Sequence, residues 1–349
     1  MLKILTVVGA RPQFIKAAAV SRAIRETEGL SEVMVHTGQH FDSNMSAVFF
    51  EELGIPEPQH HLDIHSGGHG DMTGRMLMAV EPILIEEKPD WVVVYGDTNS
   101  TLAGSLAASK LHIPVAHVEA GLRSFNRRMP EEINRLVTDH LSTLQFCPTT
   151  TAVANLAAEG IRKGVHHVGD VMYDATLFAI KRAAESSNLL SNLGLEPNGY
   201  ALATVHRAEN TNTPGQLRSV IEFLQEKAQR RPVVLPLHPR TGQAASRMGI
   251  RLDGLQVIDP VGYLDMAKLL HHAAAVYTDS GGLQKEAYFH RVPCVTLRDE
   301  TEWTETIAHG WNKLWKGPDY AARGEISEYG NGRAAFMIAD LLKAASVTA

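Results

Sequence analysis

Apolar positions along this chain follow two alternating rhythms. Short continuous runs rich in Val, Ile and Leu are each followed by turn residues. An Ala- or Leu-rich stretch comes next, with apolar residues recurring every three or four positions. KILTVVG, SEVMVHTG, WVVVYGD, PVAHVE and LQFCPT are the runs of the first half. They read as strands buried on both faces, as in a parallel sheet covered by helices, and Pro12 to about Arg25 reads as the first of those helices. From about Val168 the rhythm restarts with YALATVH, PVVLPLHP, LQVIDP, AAVYTDS and VPCVTL. VGDVMYDATLFA, between the halves, reads as a linker entering a helix. The pattern predicts an α/β protein of two doubly wound, Rossmann-like domains with a cleft between them, one over residues 1–168 and one over 169–331.

Open parallel sheets bind ligands beyond the C-terminal ends of their strands. The residues there are Gly9-Ala10-Arg11, Thr37-Gly38-Gln39-His40, Gly96-Asp97, Glu119, His206-Arg207, His238-Pro239-Arg240 and Ser280-Gly281-Gly282. Turns favour such residues anyway. Their recurrence at nearly every strand end is better explained by an active site.

Composition narrows the partners. A length of 349 residues exceeds one ordinary domain, which agrees with the restart of the pattern. A formal charge of −6 argues against general nucleic-acid affinity, which needs a basic surface. No apolar run approaches the roughly 20 residues that span a bilayer. MLKILTVVGARP lacks a signal peptide's cleavage site, and Cys147 and Cys294 stand alone, so a cytoplasmic protein without disulfides is expected. Histidines crowd HHLDIHSGGHGD, around His60, His61, His65 and His69, but no H-E-x-x-H occurs. The run reads as a solvated loop, and no metal is expected.

Several motifs carry candidate chemistry. TDSGGLQKEAYF places Ser280, Gly281 and Gly282 between a strand and a helix. Free amides and the positive helix end attract phosphate there, and Glu286 one turn on suits ribose hydroxyls. In VVGARPQFIKAA the G-x-G-x-x-G of a dinucleotide site is absent, so no NAD is expected. Arg11 and Lys16 near that helix's start are disfavoured by its dipole and are expected to meet an anion. VHRAENT sets His206 and Arg207 at a strand end, and HPRTG repeats the pattern with less support. In YGDTNSTLAG, Asp97 ends an apolar strand, either as a helix cap or as one of a carboxylate trio with Glu119 and Glu131.

GARPQFIKAA, GDTNSTLAG, HVEAGLRS with PEEINR, VHRAEN, HPR, and TDSGGLQKEA with RDETEW together resemble the non-hydrolysing UDP-N-acetylglucosamine 2-epimerase family, in the same order from residue 7 to about 305. The resemblance implies a glycosyltransferase-B-like fold whose last helix, about 332–349 here, joins the first domain. It also implies a homodimer. The chemistry implied is expulsion of UDP from C1, removal of the C2 proton to leave a 2-acetamidoglycal, then reprotonation from the other face as UDP returns. Carried over position by position, Asp97, Glu119, Glu131 and His206 are catalytic, with the base and the acid unassigned. Arg11, Lys16, Arg207, Ser280, Gly281, Gly282 and Glu286 bind substrate.

The chain departs from the family pattern in places. Trp303 in ETEWTET stands where an E-R-P-E run has a substrate-binding Arg. The loop RSFNRRM is short. GARPQF and DETEW resemble the branch acting on UDP-2,3-diacetamido-2,3-dideoxyglucuronic acid, whose sugar carboxylate Arg127 and Arg128 would meet. Asp42 replaces the second Gln of an A-Q-H-R-Q-M run, which puts activation by a second substrate molecule in doubt. A hydrolysing relative, a glycosyltransferase of the same fold and a non-catalytic nucleotide-sugar sensor are the rivals.

Overall fold

The structure, a computed structural model, describes residues 1–39 and 52–345. Asp42 and His40 lie outside them. The chain divides into two compact units, one formed by residues 1–175 with 327–349 and the other by residues 176–326.

The first unit is built on seven strands: β1 (Leu2–Val8), β2 (Leu30–His36), β3 (His60–His61), β4 (Trp91–Tyr95), β5 (Val115–Val118), β6 (Leu144–Cys147) and β7 (Val165–His167). Every pairing is parallel, in the order β3-β2-β1-β4-β5-β6-β7. All residues of β4, β5 and β6 are buried, so the continuous apolar runs follow from cover on both faces. The second unit holds six: β8 (Ala201–Thr204), β9 (Val233–Pro236), β10 (Gln256–Ile258), β11 (Ala275–Thr278), β12 (Cys294–Thr296) and β13 (Asn312–Leu314). They too are all parallel, in the order β10-β9-β8-β11-β12-β13.

Both orders reverse once, between β1 and β4 and between β8 and β11. At such a switch point the connections leave in opposite directions and open a crevice beyond the strand ends. The first is tied by Gln13, on the helix Arg11–Glu26. Its side-chain oxygen accepts from the Gly9 and Ala10 amides at 2.8 and 3.0 Å, and its amide donates to the Tyr95 carbonyl at 2.8 Å. Gly9 has no room for a side chain there: a Cβ would lie 2.1 Å from Thr37 Oγ1 and 2.2 Å from Ser100 Oγ.

The histidine-rich run is not wholly loop. His60 and His61 form the edge strand β3, and His60 meets Glu87 at 2.9 Å. The helix Val171–Ser186 begins in the first unit and ends in the second. The last described helix, Ala334–Ala345, packs against Arg11–Glu26, and Lys343 donates to the Glu28 carbonyl at 2.7 Å.

Asp174 accepts from the first amides of that last helix, Ala334 at 3.2 Å and Ala335 at 2.9 Å. Burial nevertheless pushes its carboxyl from 3.8 up to about 6. Between those values the folded chain holds the proton more tightly than the unfolded one. Stability therefore falls as pH rises through that window and levels off above it. Relative to Asp174→Asn, the wild-type unfolding free energy is expected to drop by on the order of 2 kcal/mol between pH 4 and 7. Urea melts at both pH values check this, and a pH-independent difference would show that the carboxyl titrates alike in both states.

Candidate active site

In the first unit the chemistry gathers where β4 and β5 end. Gly96 follows β4 with φ +61°, a left-handed turn that glycine adopts without steric cost. Its amide donates to the Val118 carbonyl at 3.0 Å. Asp97 follows, and its carboxylate meets Arg135 at 2.5 Å. The next helix, Asn99–Lys110, is capped by Thr98, whose hydroxyl accepts from the Thr101 amide. Asp97 is therefore not the cap. It is held on an arginine, and its side chain is 31% exposed, which leaves it reachable.

Glu119 stands one residue beyond β5 with φ +71°. A side-chain-bearing residue in that region costs on the order of 1 kcal/mol or more and persists only where its surroundings impose it. Here the amides of Glu119 and Ala120 both donate to the Phe146 carbonyl, each at 3.1 Å. The turn aims the Glu119 carboxylate at Lys16 Nζ, an ion pair with both side chains largely buried. The anion that Lys16 meets in this structure is thus Glu119. Arg11 opens the same helix and is exposed.

The helix Pro130–Leu141 brings Glu131, Glu132 and Arg135. Glu131 is half-buried, and among the described residues its carboxylate has no hydrogen bond or ion pair. Glu132 is buried and structural: it accepts from Ser124 N–H at 2.9 Å, Ser124 Oγ at 3.0 Å and Phe125 N–H at 2.9 Å, and meets Arg135 at 2.8 Å. Burial alone would raise its carboxyl, but these donors outweigh it and hold the group below the usual range. Arg135 was not singled out from the sequence. It lies one turn beyond Glu131 on the same helical face, and that spacing was the available signal.

In the second unit the site forms at the β8/β11 switch point. Thr204 lies opposite Thr278, so His206 and Arg207 emerge beside Asp279. Asp279 is fully buried. It accepts from the backbone amides of His206, at 3.1 and 3.0 Å, and Arg207, at 2.9 Å, and from Asn210 Nδ2 at 3.0 Å. His206 Nδ1 lies 3.3 Å from the same carboxylate, while 38% of the side chain stays exposed. A carboxylate on Nδ1 favours the tautomer that leaves Nε2 able to accept a proton. In the sequence Asp279 is one more turn residue inside TDSGG, with nothing to mark the donors that meet it.

Ser280 caps the helix Gly281–Phe289, its hydroxyl accepting from the Leu283 amide. A Cβ on Gly281 would come within 2.3 Å of Glu302 Oε1, so a larger residue there would push that side chain aside. Trp303 turns inward to this element: its indole N–H donates to the Gly281 carbonyl at 2.8 Å, and Lys285 Nζ sits 4.2 Å from the ring centroid. Trp303 thus steadies the glycine turn. Arg207 is half-exposed, 4.0 Å from Glu302, and Glu286 is half-buried one turn into the helix. His238 caps its own helix and lies 5.6 Å from the His206 ring, with Arg240 donating to the His206 carbonyl at 3.4 Å.

Among the described residues no cluster of three or more His, Cys, Asp or Glu is arranged to hold a metal ion, and no helix is long and apolar enough to cross a membrane.

Comparison with known proteins bears on these features. A family model described as UDP-N-acetylglucosamine 2-epimerase matches residues 22–343. The UDP-2,3-diacetamido-2,3-dideoxy-D-glucuronate 2-epimerase of Pseudomonas aeruginosa is 55% identical over 361 residues, covering 98% of this chain and 99% of the relative. The crystal structure of the Methanocaldococcus jannaschii UDP-GlcNAc 2-epimerase in complex with UDP-GlcNAc and UDP superposes with a TM-score of 0.83. It is 41% identical, covering 98% of this chain and 99% of that one. The Neisseria meningitidis UDP-GlcNAc 2-epimerase bound to UDP-GlcNAc gives 0.86 at 29% identity, covering 98% and 100%. Two parallel sheets flanked by helices are the glycosyltransferase-B-like fold of these structures.

Proposed function

The chain belongs to the UDP-N-acetylglucosamine 2-epimerase family, and from that premise we propose that it inverts C2 of a UDP-2-acetamido sugar by eliminating UDP and adding it back. The C2 hydrogen of such a sugar is not acidic, because no carbonyl adjoins it. Once the C1–O bond breaks, positive charge at C1 makes that proton removable. A carboxylate takes it, a 2-acetamidoglycal and UDP result, and protonation from the opposite face with return of UDP to C1 gives the epimer. The observation that carries this reading is the pair of carboxylates at neighbouring strand ends, Asp97 on Arg135 and Glu119 on Lys16. Each has a cation at hand, so the carboxylate left when either gives up a proton is compensated.

In this assignment Asp97, Glu119 and Glu131 move protons, and His206, oriented by Asp279, acts on the leaving group. Arg11, Lys16 and Arg207 meet phosphate. Ser280, Gly281 and Gly282 present amides to it, and Glu286 takes ribose hydroxyls. The chemistry is assigned to side chains and needs neither metal nor NAD.

For the sugar, the 2,3-diacetamido uronate is favoured over UDP-GlcNAc. The 55% identical relative carries that name, and Arg127 and Arg128 are exposed, with no ion pair among the described residues. Forked guanidinium donors suit a sugar carboxylate. A homodimer is supported by Ile133 and Val137, apolar residues four apart that stay exposed on one face of Pro130–Leu141, with Phe125 and Met129 exposed in the segment before it. Two buried free thiols, Cys147 and Cys294, suit the cytoplasm.

The test is to incubate the protein with each UDP-sugar in D2O and follow C2 by NMR. Deuterium at C2 with the epimeric UDP-sugar is expected, faster with the uronate. Free sugar as the only product would mark a hydrolase, and binding without exchange would mark a transferase or a sensor.

A further inference from the structure

His117 is fully buried in β5, two residues before Glu119, and cannot touch a substrate. Its Nε2 lies 2.7 Å from the Gly96 carbonyl, and its Nδ1 lies 2.7 Å from Asp139 Oδ1. A carbonyl oxygen only accepts. Asp139 is also an acceptor. Burial raises its carboxyl, but His117 and Arg123 together outweigh that and hold it below the usual range. With acceptors 2.7 Å away on both sides, the geometry calls for a donor at each ring nitrogen.

The remaining members close the set. Asp139 Oδ2 meets Arg123 at 2.7 Å and the Gly121 amide at 3.2 Å, and Arg123 forks onto Glu159 at 2.8 and 2.7 Å. Buried ionic groups are stable only when fully paired, and these are. Three elements that carry the proposed acid–base groups meet here. Gly96 leads into Asp97. His117 and Gly121 bracket Glu119. Asp139 sits on the helix of Glu131 and Arg135. Gly96 is gripped on both sides by β5, its amide on the Val118 carbonyl and its carbonyl on His117. A Cβ there would lie 3.2 Å from Glu119 Oε2, so the clamped glycine adjoins the carboxylate.

We infer that His117 is a positioning residue of the epimerase site: donating through both ring nitrogens, it bridges Asp139 to the Gly96 carbonyl and fixes the spacing of Asp97, Glu119 and the helix of Glu131. A side chain with a single donor cannot hold both partners. Misplacing reacting groups by about 1 Å costs on the order of 100-fold in rate.

The inference rests on the proposed reaction, and the experiment separates the two: wild-type turnover tests the reaction, and variants compared with wild type test His117. His117→Gln is expected to lower kcat about 100-fold while KM and the Kd for UDP stay within threefold. Asp139→Asn can keep every hydrogen bond, with its oxygen on Arg123 and Gly121 and its amide donating to a singly protonated ring, and is expected to retain at least about a tenth of wild-type kcat. Loss of kcat in His117→Gln of less than threefold would overturn the inference. So would equal loss of kcat and UDP affinity, or an Asp139→Asn as impaired as His117→Gln. Nitrogen-15 spectra of wild-type protein with labelled histidine, with His117 assigned by its loss in the variant or by its contact to Gly96, settle the matter even where a variant does not fold. Two protonated ring nitrogens are expected, and one bare nitrogen would refute the bridge.

Discussion

Replacing Glu119 with glutamine is expected to leave UDP bound and to stop proton exchange at C2. The backbone of Glu119 is held in the left-handed region by the Phe146 carbonyl and by the clamp on Gly96, neither of which involves the carboxylate. Glutamine therefore takes the same place with the same shape. What it loses is the ability to accept or deliver a proton, which for a positioned acid or base is worth roughly 10² to 10⁴ in rate. A drop in kcat of about 10³, near 4 kcal/mol of barrier, is the expected size. The ion pair with Lys16 is lost as well. Its ammonium is then free for phosphate, so the Kd for UDP should hold or tighten. Titration with UDP and deuterium uptake at C2 measure the two effects separately. Undiminished exchange would remove Glu119 from the reaction, and parallel loss of UDP binding would make it a structural residue.

Asp279→Asn is expected to have the second-largest effect, on stability and rate together. Two backbone amides and the Asn210 side chain all point donors at this buried carboxylate, with the His206 ring beside it. An amide group in its place turns one acceptor into a donor, facing donors without water to relieve the conflict. Breaking charge-assisted bonds in the interior costs about 2–4 kcal/mol of stability. The same change removes the carboxylate from His206 Nδ1, so the ring loses its fixed tautomer, and kcat should fall by about 100-fold. A variant that unfolds and turns over like wild type would show that His206 needs no such support.

The architecture was legible where strands are buried on both faces. β1, β4, β5 and β6, like β8, β9 and β11, are continuous apolar runs because helices cover them on each side. β3, β7 and β13 were not, because each is a two- or three-residue edge strand whose composition (His60-His61, Val165 to His167, Asn312 to Leu314) answers to one neighbour and solvent. The strand-end rule drew attention to Asp97, Glu119 and His206. It could not show their partners. Lys16 reads as a cation waiting for a ligand, yet its nearest anion is a side chain 103 positions away. Asp279 looks like part of a turn, because the amides that define it belong to a strand end 73 positions earlier. His117 sits in an apolar run and looks like filler until the Gly96 carbonyl and Asp139 are seen on its two nitrogens. Sequence periodicity reports which face is covered; it does not report which polar groups meet across a sheet.

The most direct measurement follows oxygen at the anomeric bond. A UDP-sugar substrate carrying heavy oxygen in the bridge between C1 and the β-phosphorus is incubated with the protein, and the label's position is read by phosphorus NMR as epimerisation proceeds. If UDP departs and returns, rotation of the freed β-phosphate lets the label move into non-bridging positions as the epimer forms. Inversion at C2 with the label still held in the bridge, and with neither glycal nor free UDP formed at any point, would contradict elimination as the route.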